Sequence, residues 1–369
     1  MMRAVVLAGV LSVVSAQAPV PVQIQNGRVE VRQGAAIDRE IAAVSAASST
    51  EPVWVAWRTP MITGDRDICD WYTDRIGTVR GIFIEPPSPG GFGGQGLEGR
   101  NSSPVTSPTG PVPLEAGTGL VVLARAVGGR VERLRTLSDD CPMDAGGRTV
   151  YWLGAITPAE SLRFLNGVTG PAAADRTMFD EERQIASSAV RAIGFHRDAA
   201  ADAMLDALAA DHPDSSVRRQ AATTLTIYRG ARGAASVTRL ISTKTAPDER
   251  RSLVTTLGQS REAAVVDTFR SLTRDPDARV RAEAAYYFVV RGGAAVVNDA
   301  LKIATADADD NVRRRVVAGI ARLPDSAGVT ALIDLARTTQ NAVLRKEAVS
   351  ALSQSKDPRA VALMVEIIK

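Results

Sequence analysis

The residues best equipped for chemistry gather around two cysteines. Cys69 and Cys141 are the only cysteines in the chain. Asp65, Asp67, Asp70 and Asp74 flank the first, and Asp139, Asp140 and Asp144 flank the second. A disulfide between the cysteines would bring Asp67 and Asp70 near Asp139 and Asp140. Carboxylates gathered in this way hold a hard cation such as Ca²⁺ through oxygen ligands, or divide into a general acid and a general base. Solvated loops beside a disulfide are the plainer outcome, and Asp65 and Asp67 lack the rest of an EF-hand loop. Histidine chemistry is scarce. His196 and His212 are the only histidines, so a Ser-His-Asp triad or a histidine zinc site within residues 1–165 is excluded. Both fall near turns of the helical half described below and are expected at the surface. The run 90–96 is glycine-rich but opens no helix, so it does not read as a phosphate cradle. No cofactor is expected.

The N-terminus reads as an address. Arg3 gives a short basic start, residues 4–14 are apolar, and Ser15-Ala16-Gln17-Ala18 ends in an A-x-A pattern. This is the signature of a secretory signal peptide, 1–18, cleaved after Ala18. The apolar run is too short to cross a bilayer, and no other segment is apolar enough to do so. A periplasmic or secreted location is expected. In an exported chain a lone pair of cysteines implies one structural disulfide. The chain is 45% hydrophobic and 23% charged with net charge +3, or +2 without Arg3. Such a balance gives no basis for nucleic-acid binding.

Residues 19–165 carry all four tryptophans, Trp54, Trp57, Trp71 and Trp152. Strands are expected at 27–32, 52–58, 81–85 and 149–154, and a short helix at 37–47. Residues 120–127 and 130–135, joined by Gly128-Gly129, form a hairpin signal. A small β-rich domain follows, with the tryptophans in its core. A Pro/Gly/Ser-rich insertion at 86–119 reads as a mobile loop. Residues 166–182 read as a linker, and 161–166 as a helix joining the two parts.

The rest of the chain, 183–369, repeats itself. Ile193, Leu225, Leu257, Phe288, Ile320 and Leu352 are separated by 32, 32, 31, 32 and 32 residues. Leu208, Leu240, Leu272, Ile303, Leu335 and Ile367 keep step, as do Leu205, Val237, Phe269, Ala300, Leu332 and Met364. Three series in one register define stacked units. Apolar residues four and three places before the first anchor share a helix face with it, and the other two series mark a second helix. Each unit is therefore helix, turn, helix, and buries its apolar face only by stacking. Seven places before the anchor stand Arg218, Arg250, Arg281, Arg313 and Arg345. A cation in the first turn opposes the helix dipole, so an inter-repeat ladder to loop acids is expected, with Asp214, Asp248, Asp277 and Asp309 as partners.

Residues 275–285 (Asp-Pro-Asp-Ala-Arg-Val-Arg-Ala-Glu-Ala-Ala) and 309–320 (Asp-Asp-Asn-Val-Arg-Arg-Arg-Val-Val-Ala-Gly-Ile) resemble HEAT-like repeats of the short type found in phycobilisome-lyase-related proteins. The resemblance covers about half the chain. It implies an α+β protein: a β-rich domain followed by an all-α right-handed solenoid of six helix-turn-helix HEAT-like repeats. It is specific for architecture and poor for function. A bilin lyase fits badly with an export signal. The signatures of tetratricopeptide and ankyrin repeats are missing.

The expected function is that of an exported, non-enzymatic protein–protein interaction scaffold. Its partner is a protein of unspecified identity, and its second helices line the concave side. The alternative is a carboxylate-dependent hydrolase or a Ca²⁺-binding N-terminal domain carried by a partner-binding solenoid. In the final repeat, Leu363, Val365 and Ile368 replace mostly polar or small outward residues. A terminal unit should be more polar than its neighbours, not less. These three residues are therefore expected to meet a second copy of the chain, unless the N-terminal domain covers them.

Overall fold

Val53, Trp54, Val55, Ala56 and Trp57 are apolar in succession, which suits a strand covered on both faces. In the computed structural model they are all buried and form β3 (Val53–Pro60) at the centre of a five-stranded sheet. The structure describes residues 23–34, 36–46, 51–63, 68–69, 71–73, 78–80, 82–83, 117–170, 181–324 and 326–368. The expected signal peptide, Asp67, Asp70 and most of the 86–119 insertion lie outside them.

The sheet order is β2 (Arg28–Val31), β10 (Thr149–Ala155), β3, β7 (Gly119–Val127), β8 (Arg130–Ser138). β10 runs parallel to both β2 and β3, and β3, β7 and β8 are antiparallel. Gly128 and Gly129, both at positive φ, close the β7–β8 hairpin, as a two-residue turn that follows the strand twist requires. Helix α1 (Ile37–Ala46) packs on β3 and β7. Its Ser45 hydroxyl accepts the Gly129 amide at 2.9 Å. Trp54, Trp57 and Trp152 are core residues. Sequence patterning does not find β1 (Ile24–Gln25) and β9 (Met143–Asp144), which form a second small sheet with β6 (Ile82–Phe83). Nor does it find the β4 (Trp71–Thr73) and β5 (Thr78–Arg80) pair.

The chain divides into two compact units at Glu160/Ser161, ahead of the 166–182 stretch. Helix α2 (Pro158–Thr169) spans the division. Beyond it come α3 (Glu181–Phe195), α4 (Ala199–Asp211), α5 (Ser215–Tyr228), α6 (Gly230–Thr243), α7 (Pro247–Leu257) and α8 (Val265–Leu272). They are followed by α9 (Ala278–Gly292), α10 (Val297–Ala306), α11 (Asp310–Ile320), α12 (Ser326–Thr338), α13 (Ala342–Ser353) and α14 (Pro358–Ile368). The odd-numbered helices touch in succession, α3 on α5 through to α11 on α13. Even-numbered neighbours touch as well, α4 on α6, α6 on α8, and α12 on α14. This is a helical solenoid. All six residues of the first anchor series are at most 1% exposed.

Sequence chemistry at the helix starts explains the boundaries. Eleven places before the anchor, Asp214, Asp277, Asp309 and Asn341 each accept amide hydrogens of the first turn, the usual work of an N-cap. Ala246 holds that place in one copy, and there Pro247 opens the helix instead, at a position where its missing N–H costs nothing. Gly233 and Gly328 stand eight places after an anchor. A Cβ on either would meet the anchor's own carbonyl, of Leu225 or Ile320, so glycine lets the second helix close on the first.

Candidate binding surface of the helical array

Cys69 and Cys141 are joined, with Cα atoms 5.5 Å apart, and Cys141 packs among Trp54, Leu123, Leu137 and Trp152. Of the carboxylates beside them, Asp139, Asp140 and Asp144 lie among the described residues. Asp139 is held by Arg58, whose Nε and Nη2 donate at 2.8 and 2.7 Å. Asp144, 1% exposed, accepts from Asn26 Nδ2 and the Gly146 amide at 2.8 and 2.7 Å. Asp140 stands with Asp139 beside Gly117. Among the described residues, no group of three or more His, Cys, Asp or Glu side chains gathers as a cation site would require.

The five arginines of the helical half share one task. Each guanidinium reaches back to carbonyls five or six residues upstream. Arg218 donates to His212 O at 2.7 Å, Arg250 to Thr245 O at 2.7 Å and Arg281 to Asp275 O at 3.0 Å. Arg313 donates to Asp307 O at 2.6 Å and Arg345 to Thr339 O at 2.5 Å. His212 and Asp307 are the C-caps of α4 and α10. The cation thus sits at the C-terminus of the preceding helix, where the dipole favours it.

Their acidic partners differ from those expected. Arg250 pairs with Asp275 and Arg281 with Asp307 through two hydrogen bonds each, at 3.2 and 2.9 Å and at 2.7 and 3.1 Å. Arg218 reaches Glu249 at 3.4 Å, and Arg313 pairs with Asp310. Asp214, Asp277 and Asp309 are occupied as N-caps, and Asp248 pairs with Arg279 at 2.8 Å. The place filled by Asp275 and Asp307 belongs to His212 and Thr339 in other copies. There too the side chain accepts the amide two residues on, of Asp214 or Asn341, at 3.1 and 3.2 Å. Burial works to raise the Asp307 carboxyl, but bonds from Arg281 and the Asp309 amide outweigh it and hold it below the usual range.

His196 corrects a sequence expectation: it is fully buried. Nδ1 lies 2.8 Å from Ala192 O, so that nitrogen carries the proton, and Nε2 accepts from the Ser161 hydroxyl at 2.8 Å. The pairing has the geometry of a nucleophile and base. Ser161 is also fully buried, so no substrate reaches it and the bond fastens α2 to α3. Burial is the largest influence on the ring and lowers its pKa to about 4, with Arg229 adding to the effect. Arg229 itself ties two repeats together. It pairs with Asp202, which Arg232 also holds at 2.5 Å, and donates to Gly194 O and His196 O at 3.1 and 2.8 Å.

At the C-terminal end, Leu363 is not outward as expected but 3% exposed. The exposed apolar residues of α14 are Val361, Val365 and Ile367, at 53%, 49% and 53%. Ile367 continues the series whose members Leu208, Leu240 and Leu335 are buried, yet no further helix covers it among the described residues. The side chain of Ile368 lies outside them.

Residues 297–369 match the family of HEAT repeats. The helical solenoid thus carries HEAT repeats over these residues. No curated protein sequence matches the chain. Three solved structures are similar to it at low identity. YibA of E. coli is 14% identical with a TM-score of 0.33, over 56% of this chain and 76% of that one. Human deoxyhypusine hydroxylase in complex with glycerol is 15% identical with a TM-score of 0.29, over 55% and 88%. The CpcE–CpcF complex of phycocyanin lyase from Nostoc sp. PCC7120 is 18% identical with a TM-score of 0.27, over 56% and 80%.

Proposed function

We propose that this chain is an exported, non-enzymatic scaffold for protein binding, built on a right-handed array of six helix pairs. The observation that carries the reading is the use of the buried polar groups. Asp202, Arg229, Asp275, Asp307 and the Ser161–His196 pair are each occupied in joining one helix to another. What the array offers to other molecules is its long outer surface, the feature that stacked repeats use for recognition. The HEAT repeats at 297–369 support the same reading, because such repeats serve mostly as interaction modules. Export is supported by the character of residues 1–18 and by the Cys69–Cys141 bond, which belongs to an oxidising compartment. Affinity capture from a periplasmic extract, with cross-links mapped to the helical half, tests the scaffold. N-terminal sequencing of the exported protein tests its processing and should begin at Pro19.

Self-association through α14 is a second reading, favoured by exposed Val361, Val365 and Ile367. Sedimentation of the protein beside a Val361→Glu, Val365→Glu variant should show a larger species only for the unmodified chain. Equal monomers would end this reading.

A further inference from the structure

A binding scaffold needs a face. Ion pairs join neighbours in both helix layers, Arg218 with Glu249 and Arg279 with Asp248 among the odd-numbered helices, and the layers differ in the cations left over. Across the even-numbered helices, ion pairs join neighbours: Arg239 with Asp206 at 2.8 Å, Arg270 with Asp299 at 3.9 Å and Arg337 with Glu366 at 2.6 Å. The odd-numbered helices carry cations that are not engaged. Six places before the anchor stand Arg219 on α5, Arg251 on α7, Arg314 on α11 and Lys346 on α13, all exposed. Arg191 extends the line on α3, one turn along the same face. Among the described residues, none of these five side chains makes a hydrogen bond or ion pair.

On α9 the corresponding residue is Ala282, which is buried. The gap is filled from α11. Arg315 lays its guanidinium over the Tyr286 ring, 4.0 Å from the centroid, and bonds Glu283 at 2.8 Å. Tyr287 stands edge-on to Tyr286 with ring centroids 5.0 Å apart. Tyrosine and arginine side by side, part-exposed, are the residues that dominate interface energetics. Glu283 is engaged by Arg315, which leaves Glu347 as the acid beside the line without an ion pair among the described residues.

Packed helices stand about 8–10 Å apart, so the line offers one cation at about that interval. An extended or polyproline II chain advances about 3.1–3.3 Å per residue. An acidic side chain at every third residue therefore keeps step with the array. Resting on the scaffold reading, we propose that the outer face of the odd-numbered helices, from α5 to α13, binds an acidic, extended polypeptide segment, with Tyr286 and Arg315 at its centre. A duplex nucleic acid matches less well. Its phosphates recur about every 3.4 Å along each strand, and most would find no cation. The even-numbered helices offer no such line, since among the described residues their cations are paired.

The test uses the full chain and fluorescence anisotropy of a labelled peptide of five Glu-Pro-Pro units, with Gln-Pro-Pro as control. The Glu peptide should bind and the Gln peptide should not. Binding should weaken at least tenfold in an Arg219→Ala, Arg251→Ala, Arg314→Ala variant whose circular dichroism is unchanged. It should weaken several-fold in Arg251→Gln alone, and not in Arg239→Ala. Raising salt from about 50 to 300 mM should also weaken it, as screening of exposed charges requires. Failure of the Glu peptide to bind, equal binding by the triple variant, or tighter binding of a short DNA duplex through the same arginines would each overturn the proposal. Partner capture that is undiminished in the triple variant overturns the choice of face and leaves the scaffold reading standing. Capture of nothing by the unmodified protein overturns the scaffold reading itself.

Discussion

Arg281 lies in the first turn of α9, where its own helix dipole opposes a cation. It is stable there because it serves the loop before it and the acid after it, Asp275 O and Asp307. Both charged side chains are mostly buried, at 20% and 8% exposed. Arg281→Ala should therefore cost about 1–2 kcal/mol, more than an exposed pair and less than a sealed one. Ala284→Asp, which places an unpaired charge at a fully buried site, should cost over about 3 kcal/mol. Urea denaturation at neutral pH would check both, and the reverse order would show the helix faces to be wrong. His196 makes a prediction of opposite character. Its folded pKa, about 4, lies below the unfolded value of about 6.5. The unfolded chain thus takes up the proton first as pH falls. The contribution is present above about pH 6.5 and is lost as pH falls through the folded value, roughly 2 kcal/mol of it between pH 7 and pH 5. A His196→Gln variant should show a flatter stability curve over that window. The five arginines were legible from their spacing. Their partners were not, because Asp275 and Asp307 occupy a place that other copies fill with His212 or Thr339, and a changing residue leaves no periodic trace.

At the scale of elements, the legible features are those that recur or run long. The helix pairs follow from three apolar series in one register, and β3, β7, β8 and β10 from apolar runs and the Gly128-Gly129 turn. β1 and β9 escape because two residues carry no alternation, and their pairing joins positions more than 100 apart in the chain. Gly233 lies buried inside α6. Ordinary propensity would make Gly233→Ala stabilising. The Leu225 carbonyl stands where the new methyl would go, so the substitution should instead cost about 1–3 kcal/mol, measured as a lower melting temperature. On α14 the sequence ranks Leu363 with Val365, and the structure separates them. Leu363→Glu should destabilise by about 3 kcal/mol or more, whereas Val365→Glu should leave the melting curve almost unchanged.

For the whole molecule, two units meet different demands. The N-terminal unit has α1 packed on its five-stranded sheet, and its disulfide links residues 72 apart in sequence. On the chain-entropy model that closure is worth roughly 4 kcal/mol. A non-reduced peptide map should contain the Cys69–Cys141 peptide and no alkylated cysteine, and reduction should lower the stability of this unit. The helical unit has no cysteine and draws its stability from stacking, so its own resistance to urea should be indifferent to reductant. Of the acids beside the cysteines, Asp139 has a partner that its neighbours in sequence do not announce. Arg58, on a strand that sequence order places far away, claims it. The central claim is that this protein works through the outer surface of its stacked helices. Hydrogen exchange of the full chain, alone and bound to its captured partner, tests this most directly. Slowed exchange is expected along α5, α7, α9, α11 and α13, strongest around Tyr286, with residues 23–160 unaffected. Protection confined to residues 23–160, with none in the helical half, would contradict it.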